Sequence, residues 1–155
     1  MKSSNLPRLL VAAAASAVAA LSLSGCAPTV VLEPAADANN PKCAELSVRL
    51  PDAIGDFSKR ATNAQATAAW GDPTAIVLRC GLPEVTVSTL TCVSSSDLDW
   101  LVDPSAAPSY RFITFGRNPA IEVIVDSQKI SGATALDAVA AAVSQIEPTK
   151  TCTVG

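Results

Sequence analysis

The sequence predicts a small α+β domain: an antiparallel sheet of about four or five strands with helices packed mainly on one face, braced by two disulfides. Three observations point that way. Residues 74–80 and 110–126 alternate or run apolar as paired strands do. Residues 134–146 set Leu136, Val139, Ala140, Val143 and Ile146 at helical spacing. Cys43, Cys80, Cys92 and Cys152 form an even set, once Cys26 is assigned elsewhere.

In chain order, Lys2 and Arg8 precede an uncharged apolar run over residues 9–21, followed by Leu23-Ser24-Gly25-Cys26. A positive start and an apolar middle too short to make a comfortable permanent span have the form of a bacterial export signal. The Leu-Ser-Gly-Cys run reads as a lipobox, so Cys26 is expected to carry a diacylglyceryl group after residues 1–25 are cut away. Two acyl chains give stable membrane anchoring where one binds reversibly. Residues 26–40, rich in Ala, Pro, Asp and Asn, read as a flexible tether, and residues 41–155 as one globular domain.

Within that domain, Asn40-Pro41 resembles an N-cap followed by proline at the first helical position, with Cys43, Leu46 and Leu50 on one face of a short helix ending before Pro51. Asp52 is expected to cap a second helix with Ile54, Phe57 and Ala61 inward, and residues 62–69 to connect it onward. Trp70-Gly71-Asp72-Pro73 predicts a turn, because Gly71 tolerates positive φ and Pro73 keeps its predecessor out of helix. Residues 74–80 then form a central strand, with Ile76, Leu78 and Cys80 on one face and Ala75, Val77 and Arg79 on the other.

Strands over residues 85–87 and 90–93 are expected to bring Cys92 beside Cys80, and residues 97–103 to form an acid-bearing edge strand. Residues 110–115 and 120–126 make a hairpin through Gly116-Arg117-Asn118-Pro119. The helix over 134–146, with Thr134 and Asp137 as its capping pair, is expected to lie on the sheet until Pro148 stops it.

Charge and cysteine content narrow the chemistry. The chain has 11 basic and 14 acidic residues and no histidine; without Lys2 and Arg8 the balance is 9 against 14, a net of −5. A negative surface does not suit nucleic acid or anionic headgroups. Without histidine there is no Ser-His-Asp triad, Cys-His pair or histidine-ligated metal. Two disulfides are favoured over a zinc site, because no Cys-x-x-Cys pair occurs and export leads to an oxidising compartment. Four cysteines allow three pairings. The preferred one joins Cys80 to Cys92 on neighbouring strands and Cys43 to Cys152 at the domain ends, closures contributing roughly 3 and roughly 5 kcal/mol on the loop-entropy model.

Taken together, Cys43, Leu50-Pro51, Ala69-Trp70-Gly71-Asp72-Pro73, Leu78-Arg79-Cys80-Gly81, Cys92, Asp99-Trp100, Gly116-Arg117-Asn118-Pro119, Val123-Ile124-Val125 and Cys152 resemble an actinobacterial lipoprotein family catalogued as domain of unknown function 3515. The resemblance covers nearly all of residues 41–155. It implies an exported, anchored, disulfide-bearing protein and transfers no catalytic residue.

Arg79, Arg111 and Arg117 with Trp70 and Trp100 form the constellation from which a ligand site would be built, taking a small anionic or sugar ligand through bidentate contacts and stacking. The plainer reading pairs Arg79 with Asp72 or Asp99 and puts the tryptophans in the core, and it is preferred. Asp97, Asp99 and Asp103 lack the glycine and terminal glutamate of a calcium loop, and read as a solvated edge. The expected role is that of a non-enzymatic lipoprotein on the extracytoplasmic face of the cell membrane, binding or scaffolding an envelope protein or cell-wall partner, with no metal or cofactor. The alternatives are the small-ligand module and a hydrolase using two acids among Asp72, Asp97 and Asp99.

Overall fold

A computed structural model describes residues 28–152. The expected export signal over residues 1–25 and the expected lipid site at Cys26 lie outside the described residues. In chain order the elements are α1 (Pro41–Ser47), β1 (Ala53–Ile54), β2 (Phe57–Arg60), β3 (Thr67–Trp70), β4 (Ile76–Leu82), β5 (Thr91–Ser95), β6 (Leu98–Asp103), β7 (Ser109–Thr114), β8 (Ala120–Asp126) and α2 (Gly132–Val143). The strands make one eight-stranded sheet in the order β1-β2-β3-β4-β8-β7-β6-β5. Every pairing in it is antiparallel.

The expected α+β architecture is therefore corrected to a predominantly β fold with two short helices and eight strands in place of four or five. The helices form no layer over a flat sheet. α2 touches β8 and also β1 and β5, the two ends of the strand order, so the sheet bends around it. Twist accumulated over this many strands produces such curvature.

Two segments account for the extra strands. The expected second helix is replaced by β1 and β2, which pair Ile54 with Phe57 across Gly55-Asp56. Ile54, Phe57 and Ala61 have helical spacing, but Gly55 at φ 57° is a hairpin turn residue and ends any helix there. Residues 67–69, expected to belong to a connection, and Trp70, expected to open a turn, become β3, where Ala68 and Ala69 pack because β4 supplies the apolar surface beside them; both are buried. The edge also moves. β6 is an inner strand, and the edge is β5, joined to it by a tight turn with Ser96 and Asp97 at φ 50° and 61°. Residues 85–87 take no strand.

The hairpin of β7 and β8, the helix at Pro41 and the inner strand β4 lie where expected. α2 starts at Gly132, and Ser131 is its cap, accepting from the backbone of Thr134 at 3.1 Å. Trp70, Ile76, Leu78, Trp100, Ile121, Val123 and Val125 line the inner face of the sheet against Leu46, Leu136, Val139, Val143 and Ile146. On the outer face Leu101, Ile113 and Ala120 gather Leu82, Val85, Leu90 and Phe115 into a smaller cluster.

All four domain cysteines are bridged, but as Cys43–Cys80 and Cys92–Cys152, not in the expected pairing. Cys80 points into the core with Ile76 and Leu78, where α1 brings Cys43 to it. Cys92 stands opposite Leu101 on the outer face, so the sheet itself separates it from Cys80.

Residues 28–40, expected to belong to a flexible tether, are tied down along the sheet. Val30 bridges Thr62, Leu32 donates to Asn63 Oδ1 at 2.6 Å and Asp37 donates to the carbonyl of Gly81 at 3.0 Å. Gly81 permits this closeness, since a Cβ there would lie 2.5 Å from the Asp37 carbonyl carbon and φ is 109°.

Candidate functional site

The sheet divides the expected ligand constellation. Trp70 and Trp100 both point inward and are fully buried, Trp70 donating from its indole to the Pro51 carbonyl at 3.0 Å. Arg79, on the alternate face of β4, is on the outer side. Arg117 lies elsewhere again, 5% exposed, donating to the Ile146 carbonyl just past α2. Its burial pushes its pKa below the usual arginine range, with Glu147 and Asp99 pulling the other way. This cation ties the chain just past α2 to the connection between β7 and β8. Trp70, Trp100 and Arg117 therefore do not join Arg79, and of the expected constellation only Arg111 does.

Arg79 and Arg111 meet at an acid outside that constellation. Glu122 on β8 is completely buried, and its two carboxylate oxygens accept from Nε of Arg79 on β4 and Nε of Arg111 on β7. Arg79 stands directly opposite Glu122 across the β4–β8 ladder, while Arg111 stands opposite Ile124, one diagonal step away. The preferred partners of Arg79 are corrected accordingly. Asp72 pairs with Arg60 at 3.2 Å, and Asp99 accepts from the Ser94 hydroxyl at 2.6 Å and the Cys152 backbone at 2.7 Å. A buried charge needs a paired counter-charge, and Glu122 is the one such acid within the apolar run of β8. That was the available signal. An acid alone among Ala120, Ile121, Val123, Ile124 and Val125 calls for a cation from a flanking strand.

Two further carboxylates accept from serines. Asp103 accepts from Ser105, whose side chain and backbone hold it below the usual carboxylate range. Asp137 on α2 accepts from the hydroxyls of Ser95 and Ser96, which lower its pKa and tie α2 to the β5–β6 turn. Ligand atoms of Cys92, Asp99 and Cys152 lie within 4.8 Å of one another, but both sulfurs are joined in a disulfide. On the inner side a cavity of about 480 Å³ opens between Tyr110, Phe112, Val125 and Ser131. Among the described residues no helix is long and apolar enough to cross a membrane.

A family model described as "Protein of unknown function (DUF3515)" matches residues 6–152. No curated protein and no solved structure matches the chain.

Proposed function

Because the chain belongs to the DUF3515 family, whose description carries no activity, we propose a function from its own residues: an exported lipoprotein, held at the outer face of the cytoplasmic membrane by lipid on Cys26, that binds or scaffolds an envelope partner without catalysing a reaction. The observation that carries this reading is Leu23-Ser24-Gly25-Cys26 directly behind a charged start and an uncharged apolar run. Two disulfides among the remaining cysteines suit an oxidising compartment. A histidine-free chain with an acid excess points away from common hydrolase designs and from nucleic acid.

The test is mass spectrometry of the amino-terminal peptide from the membrane fraction, paired with crosslinking in intact cells of the unaltered protein and Cys26→Ser. The expected result is a mature chain starting at an acylated Cys26, with partners lost from the Cys26→Ser sample. An unmodified amino terminus, or partners recovered equally without the lipid, overturns the reading.

A further inference from the structure

We propose that Arg79 and Arg111, aligned by Glu122, form a binding site on the outer face of the sheet for a small oxyanion, a carboxylate or phosphate, that carries a compact apolar body. This goes beyond the envelope role and does not depend on lipid at Cys26.

The register sets the geometry. On the outer face one row across β4, β8 and β7 reads Arg79, Glu122, Ile113, and the next reads Val77, Ile124, Arg111. The two arginines stand at diagonal corners astride β8, with Glu122 buried between them and Val77 and Ile124 half-buried beside it. One guanidinium would balance one carboxylate. The second guanidinium faces Asp103 across the β6–β7 ladder, and Asp103 takes its hydrogen bonds from Ser105 and none from Arg111.

Both arginines bond Glu122 through Nε, and none of their Nη atoms bonds it. Among the described residues the Nη groups of Arg111 take no hydrogen-bond partner, and Arg79 Nη1 reaches only the Glu33 carbonyl at 3.4 Å. The side chains are 30% and 37% exposed. The charge of Asp103 acts on Arg111 from the neighbouring strand, but its hydrogen bonds come from Ser105, so no carboxylate occupies the Nη groups of Arg111. A guanidinium fixed at Nε has lost its rotational freedom before a ligand arrives, so less is lost on binding. Its free N–H edge matches an oxyanion, while Val77 and Ile124 favour an apolar body over a bare ion.

The test is calorimetric titration of the full chain with phenyl phosphate, inorganic phosphate and benzyl alcohol. Phenyl phosphate is expected to bind one to one and about tenfold more tightly than inorganic phosphate, with no binding of benzyl alcohol. Arg111→Gln is expected to weaken phenyl phosphate by about tenfold or more. Lys59→Gln, which removes the same charge from an exposed position opposite inward-facing Trp70, is expected to change nothing. If Arg111→Gln does not fold, Arg111→Lys decides, since one ammonium cannot both hold Glu122 and present a planar edge, and binding must still weaken several-fold. Absence of phenyl phosphate binding, equal losses in Arg111→Gln and Lys59→Gln, or unchanged affinity in the Arg111 variants overturns the site. Inorganic phosphate binding as tightly as phenyl phosphate overturns the apolar part of the ligand class.

Discussion

Glu122 makes the order in which substitutions destabilise this protein asymmetric. Its carboxylate has no exposure at all, whereas Arg79 and Arg111 are already 30% and 37% exposed. Glu122→Gln removes the charge and keeps the shape. The two guanidiniums then relax toward water, and the loss is that of charge-assisted hydrogen bonds, about 1–3 kcal/mol. Removing the arginines is costlier, because Arg79→Gln with Arg111→Gln leaves a buried carboxylate without a cation, about 3–5 kcal/mol. Adding Glu122→Gln to that pair takes away the stranded charge and is expected to recover about 2 kcal/mol, a coupling between contacting residues. Urea unfolding with the disulfides intact, read as a shift in midpoint at constant slope, measures all three. A double arginine variant no less stable than Glu122→Gln, or no recovery in the triple variant, refutes the reasoning that burial of the carboxylate dominates.

Further outcomes follow from the same structure. Mild reductant is expected to open Cys92–Cys152 before Cys43–Cys80, because Cys92 and Cys152 are half-buried while Cys43 and Cys80 are fully buried. Graded reduction with alkylation and non-reducing peptide mapping checks this, and a Cys80–Cys92 peptide would contradict the frame. With sequence separations of 37 and 60, each bridge contributes roughly 4 kcal/mol on the loop-entropy model, so loss of either is expected to lower the melting temperature sharply. Gly81→Ala forces positive φ on alanine and pushes Asp37 and Ala38 away, so faster amide exchange at Asp37 and a loss of about 1–3 kcal/mol are expected. Asp103 and Asp137 have pKa values lowered from 3.8 by serine hydrogen bonds, so each adds stability that is present above that pH and lost as pH falls below it. Asp137→Asn should therefore flatten the acid limb of the stability curve, with Ser95→Ala plus Ser96→Ala doing the same.

The candidate site was legible only in part. Arg79 stands out in the sequence as a charge on an inner strand, and the alternation around it correctly places Ile76, Leu78 and Cys80 on the core side. Its partner Glu122 lies 43 residues away, out of reach of the local reading that points to Asp72 or Asp99. The tryptophans were grouped with it because strand order was unknown, and β3 and β6 turn Trp70 and Trp100 to the opposite face.

Local patterning determined the β7–β8 hairpin, the helix at Pro41, the α2 stripe and the inner strand β4, because each is a periodicity or a turn residue acting over a few neighbours. It also determined that four cysteines would be paired and that histidine chemistry is absent. Tertiary structure alone decided that eight strands curl about α2, that Ala-rich residues 67–70 form a strand and that residues 28–40 lie bound along the sheet. It also decided which cysteines meet. The physical reason is that a strand's alternation says which side chains share a face but not which strand lies next to it. Both bridges and the Arg79–Glu122–Arg111 group depend on that second fact.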